Sequence, residues 1–110
     1  MIDRTLQPEI KKPEHLKVQA PERITLPNGV ALNVLNAGDN EVVRIDILMA
    51  GGRWHQSQPL QALFTNRMLR EGTRRYTAAQ IAERLDYYGA WLDLSSASEH
   101  AFVTLYSLNK

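Results

Sequence analysis

The chain has 110 residues, 44% of them hydrophobic and 23% charged, a composition of globular rather than disordered proteins. Thirteen basic residues against twelve acidic leave a net charge of +1, without the strong basic excess of a nucleic-acid-binding domain. Cysteine is absent, which excludes disulfides, thiolate metal sites and cysteine nucleophiles together. No apolar run approaches the roughly 18 residues of a membrane-spanning helix, and the N-terminus lacks an apolar signal core. These features predict a soluble cytoplasmic domain with neither nucleic acid nor membrane as a partner.

Residues 1–22 carry Pro8, Pro13 and Pro21 among charges with no hydrophobic period, and predict an irregular arm. A single domain is expected over 23–110. It opens with alternation at Ile24 and Leu26, then Val30, Leu32 and Val34, on either side of Pro27-Asn28-Gly29. Proline presets one φ and Asn-Gly tolerates positive φ, so the segment predicts a hairpin. "EVVRIDILM" predicts a strand with Val43, Ile45, Ile47 and Met49 on one face, ended by Gly51-Gly52. Pro59 suits a first helical turn, and Leu60, Leu63, Phe64 and Met68 follow at helical spacing up to a stop at Gly72. Phe64 and Met68 are thereby expected against the sheet, with Ile45 and Ile47 among their partners. A second helix is expected from Thr77, where Thr77 and Gln80 form a capping box, with Ile81, Leu85 and Tyr88 as its buried stripe and Gly89 as its end. "AWLDLSS" and "AFVTLYSL" predict two closing strands joined around Ser98-Glu99-His100. The order β-β-β-α-α-β-β predicts an α+β fold, a mostly antiparallel sheet with two helices packed on one face.

Chemistry-bearing residues are sparse. His15, His55 and His100 have none of the spacings that let two ligands share a helix face, and each reads as an ordinary loop or surface histidine. Glu99-His100 reads as a salt contact in a turn. Glu83, Asp86 and Asp93 do not converge by spacing, and no nucleophile has a base beside it. Gly51-Gly52 lacks a phosphate-loop context, and Trp54, Tyr87, Tyr88 and Trp91 read as core and rim aromatics.

The series as a whole resembles the insulinase–pitrilysin family of zinc metallopeptidases, which includes the mitochondrial processing peptidases. The resemblance is carried by "LPNGV" at Leu26–Val30, Gly51-Gly52-Arg53, "MLREGT" at Met68–Thr73, "AAQIAERLDYYGA" and the "EH" of the last hairpin. It implies the first half of a processing-peptidase-like domain, an N-terminal fragment of a longer protein. Active relatives carry the inverted motif H-x-x-E-H on the first helix, two zinc ligands and a general base. The matching positions here are Leu63, Asn66 and Arg67. Leucine has no lone pair, asparagine cannot take a proton from bound water near neutral pH, and arginine repels a divalent ion. The chain is therefore expected to be non-catalytic and to bind no zinc or other cofactor. Arg67 is either a surface or salt-bridged arginine, or a cation in the former site holding a carboxylate or substrate end.

The resemblance further implies a structural or peptide-handling partner of an active zinc peptidase subunit. Relatives hold an extended peptide at an Asn-Ala pair on the strand after the second helix, which matches Asp93-Leu94 and places weak peptide contact along Trp91, Asp93, Leu94 and Ser95. Two alternatives remain: a zinc endopeptidase whose site is completed by residues outside this chain, and a free-standing peptide-binding domain. Strand edges left open at the end of the chain predict self-association, at least as a homodimer.

Overall fold

The computed structural model describes residues 5, 7, 9–12 and 15–109. Pro8 and Pro13 of the arm lie outside the described residues, and 15–21 contain no helix or strand. By its contacts the chain forms two compact units, 1–39 and 40–110. The first unit thus includes the hairpin together with the arm.

In the first unit, β1 (Glu22–Thr25) pairs antiparallel with β2 (Ala31–Val34), from Glu22 opposite Val34 to Thr25 opposite Ala31. The turn is closed by the Gly29 N–H on the Leu26 carbonyl and the Leu26 N–H on the Val30 carbonyl, both at 2.9 Å. Gly29 has φ 83°, the left-handed value that closes a three-residue hairpin loop. Asn28 adds a local bond, accepting the Val30 N–H on Oδ1. The hairpin forms a two-stranded sheet of its own.

The second unit is built on a three-stranded antiparallel sheet. Its strands are β3 (Val42–Met49), β4 (Trp91–Ser96) and β5 (Ala101–Leu108), with β5 central in the order β3-β5-β4. Between β3 and β4 lie α1 (Gln61–Arg67), which runs on into a 3-10 turn at Met68–Arg70, and α2 (Ala78–Tyr87). Both helices pack on β4, and α1 also reaches β5. Of the stripe expected to be buried on α2, Ile81 and Leu85 are half-buried and Tyr88, past the helix end, is 58% exposed. Register separates the two faces. Val43, Ile45, Ile47 and Met49 of β3 align with Ser107, Leu105, Val103 and Ala101, and Leu92, Leu94 and Ser96 join them from β4. This is the helix-side face, and along β4 its residues are the half-buried ones. The architecture is the expected α+β arrangement of antiparallel strands and two helices.

The α2 start follows its local code. Thr77 Oγ1 accepts the Gln80 N–H, and Gln80 Oε1 accepts the Thr77 N–H, which satisfies two donors that a helix start leaves free. The start of α1 is less regular. Leu60 sits before the first turn with φ 69°, Gln56 Oε1 accepts the Ala62 N–H, and Ser57 donates to the Gln61 side chain.

The rotation of α1 departs from the expected stripe. Phe64 is 58% and Met68 63% exposed, and Ala62 and Asn66 are the buried residues of the helix. Ile45 and Ile47 are exposed as well, so the expected Phe64–sheet core does not form. The cause is polar. Asn66 reaches the sheet backbone, and alanine four residues earlier lets the helix lie close at that face. Among the described residues no helix is long and apolar enough to cross a membrane.

Candidate functional site

Three elements meet at the β4–β5 end of the sheet: α1, the segment after β3, and the turn between the two strands. The chain after β3 docks on the turn through three backbone bonds. Gly52, Arg53 and Trp54 donate their N–H groups to the carbonyls of Glu99, Ala97 and Ser98 at 3.0, 3.0 and 2.8 Å. Arg53 Nη2 adds a bond to Ser98 Oγ. Within the turn, His100 Nδ1 lies 3.9 Å from Glu99 Oε2, the salt contact expected for this pair once the imidazole is protonated. Among the described residues no three His, Cys, Asp or Glu side chains form a group able to hold a metal.

The three motif positions on α1 separate. Leu63 is half-buried, Arg67 is exposed and Asn66 is 3% exposed. Asn66 Nδ2 donates to the carbonyl of Ser95 and, at 3.2 Å, to that of Phe102. Ser95 and Phe102 face each other across β4 and β5, so one amide group ties the helix to both strands. Asn66 Oδ1 is buried without a hydrogen-bond partner. Zinc does not fit here. The site offers a single orphaned amide oxygen, with a leucine and an arginine where two further donors would be needed.

The expected peptide contacts divide between the two faces of β4. Trp91, Asp93 and Ser95 project to the open face, and Leu94 to the helix side, as strand alternation requires. What the four share is the edge. β4 is an outer strand of its sheet. Ala97 donates to the His100 carbonyl, which makes that pair a hydrogen-bonded one and sets the phase of the ladder. Counting back by twos, Ser95, Asp93 and Trp91 turn their backbone groups toward β5, and Leu92, Leu94 and Ser96 turn theirs outward. Arg70 bears this out by donating from Nη2 to the Leu92 carbonyl at 3.4 Å.

The open face carries a cluster that sequence inspection passed over. Arg44, Asp46 and Leu48 alternate along β3 opposite Tyr106, Thr104 and Phe102, with Trp91, Asp93 and Ser95 on the far side. Arg44 Nε lies 2.8 Å from Asp46 Oδ2, and its guanidinium sits 5.3 Å from the Tyr106 ring centre. The Trp91 and Tyr106 rings are 6.2 Å apart. Thr104 Oγ1 donates to Asp46 Oδ1 at 2.7 Å. That hydrogen bond and the Arg44 pairing hold the Asp46 carboxyl below its ordinary range, and the same pairing raises Arg44. The alternating polar set in "VRIDIL" was the available signal.

Replacing Thr104 with valine removes the donor and keeps the shape. The Asp46 titration followed by carboxyl carbon NMR is expected to move up toward the ordinary aspartate value. Asp46 stabilises the folded state at neutral pH, and this contribution is lost as pH falls through its lowered folded-state value. In the variant the contribution is smaller and its loss is complete at a higher pH. An unmoved titration means the bond does not form in solution.

No family model matches the sequence, and no match is found among curated proteins. Among solved structures the chain is similar to one described as a peptidase M16 inactive domain from Pseudomonas fluorescens. The TM-score is 0.76 with 23% sequence identity, covering 83% of this chain and 22% of that one. At this identity the likeness establishes a shared fold. The chain spans under a quarter of that neighbour's length.

Proposed function

We propose that this chain is a non-catalytic peptidase-like domain, one that holds or positions extended peptide segments beside an active zinc metallopeptidase. The observation that carries the reading is Asn66. At the helix position where an active insulinase-like enzyme has its general base, this chain has a buried amide engaged with two strand carbonyls. A residue so placed does structural work and has no proton to exchange near neutral pH. The likeness to a domain described as inactive supports the same reading.

The peptide-handling part rests on the edge of β4. Outward backbone groups at Leu92, Leu94 and Ser96 give an extended segment a ladder to join, the usual basis of strand addition. The same edge is open to a second copy of the chain, so self-association belongs to the proposal.

Titration of the purified chain with zinc, followed by elemental analysis after mild chelation, is expected to leave no stoichiometric metal. Amide spectra recorded with unstructured peptides are expected to show weak binding, with shifts confined to 91–96 and their neighbours. One retained zinc per chain would sink the non-catalytic reading. Shifts confined to residues 15–21 would sink the assignment of the edge.

A further inference from the structure

We propose that Arg70 makes the free edge of β4 selective for extended segments carrying an acidic side chain at the residue facing Leu92. This selectivity presupposes the peptide-handling role proposed above and adds to it the class of segment held.

Arg70 occupies the place a partner strand would take. Its Nη2 donates to the outward Leu92 carbonyl at 3.4 Å, in an exposed position. A bond that long and that wet is weak, and a strand N–H arriving in line with the ladder replaces it at little cost. The guanidinium then loses its acceptor while remaining beside the incoming chain. Arg70 is in no ion pair among the described residues that could absorb the charge. The local sequence reinforces the sign, with Arg67, Arg70, Arg74 and Arg75 against the single acid Glu71.

Geometry decides which peptide residue meets that charge. In a paired ladder, residues directly opposite each other project to the same face. Leu92 projects to the helix side, where α1 packs, and the turn carrying Arg70 continues from α1 and reaches the Leu92 carbonyl. The side chain facing Leu92 therefore comes up beside the displaced guanidinium. A carboxylate there accepts its planar fork of donors, an amide accepts it less well, and a lysine is repelled.

The test uses the whole chain and three short unstructured peptides that differ only in a central Glu, Gln or Lys. Dissociation constants come from amide shifts in the wild type and in the Arg70→Met and Arg70→Glu variants, each with its spectrum checked for folding. The Glu peptide is expected to bind about three-fold tighter than the Gln peptide, as an exposed ion pair allows, and the Lys peptide more weakly than both. Added salt shrinks the spread. Arg70→Met removes the preference, and Arg70→Glu reverses it. Equal binding of Glu and Gln peptides with shifts on β4 overturns the selectivity and leaves the edge role standing. An acidic preference whose shifts fall on Arg74 and Arg75 overturns it in favour of a general anion surface. No peptide shifts at all overturns the selectivity and the edge role together.

Discussion

Substituting Gly52 with alanine is expected to unfold the 40–110 unit. A Cβ built there lies 2.4 Å from the Glu99 carbonyl carbon, 2.5 Å from the His100 nitrogen and 2.5 Å from the Ser98 oxygen. All three are backbone atoms of a tight turn, so no side chain can swing aside. Gly52 itself has φ −77° and ψ −174°, values alanine adopts freely, so the effect is steric and not conformational. Making room pushes the turn away and breaks the three backbone bonds from Gly52, Arg53 and Trp54. Overpacking and the lost bonds together cost about 3–5 kcal/mol, comparable with the whole stability of a small domain. Gly51→Ala is the control, because its Cβ would lie 3.9 Å from the Ala101 Cβ, an ordinary contact. Urea unfolding of both variants measures the difference. A Gly52→Ala protein as stable as Gly51→Ala means that the segment after β3 does not dock on the turn.

The second large effect is expected at Asn66. Replacing it with aspartate turns a double donor into an acceptor facing the carbonyls of Ser95 and Phe102, at a site 3% exposed. A buried carboxylate without a partner is costly, roughly 3–5 kcal/mol at neutral pH. Repulsion and burial both favour the neutral acid, so the folded-state pKa of the new aspartate lies above its unfolded value near 3.9. Below the unfolded value both states are protonated, the charge penalty vanishes, and the acid's single O–H restores one of the two bonds. As pH rises from there to the folded-state value, stability falls progressively. Asn66→Asp is therefore expected to be most stable, relative to wild type, below about pH 4. Asn66→Leu loses the two bonds without adding a charge, costs about 1–2 kcal/mol, and has no such pH dependence. Urea melts across pH distinguish the two. A pH-independent Asn66→Asp penalty means the side chain points to water and not to the sheet.

This result bears on function as well as stability. A carboxylate at position 66 faces two carbonyl oxygens in a buried place and does not act there as a free base.

Much of the local structure was readable from the sequence. The Thr77–Gln80 capping box, the Pro27-Asn28-Gly29 turn and the alternation of β3 are set by preferences acting within a few residues, and each appears in the fold. Other features depend on groups far apart in the chain. Apolar spacing placed Phe64 and Met68 inward, but spacing carries no information about what the opposing surface offers. Here that surface presents two strand carbonyls, and the face of α1 seated on it is the one whose Asn66 amide donates to both. Gly52 reads as a strand end until the turn at 97–100 is packed against it. Asp46 and Thr104, far apart in sequence, meet only once the register of β3 on β5 is set. The sequence by itself determined the order and type of the elements and the chemical poverty of the motif positions. Only the tertiary structure decided which face of α1 is buried, that β4 lies at an edge, and that Arg70 stands at the Leu92 carbonyl. Those outcomes are settled by backbone groups whose partners no residue pattern names.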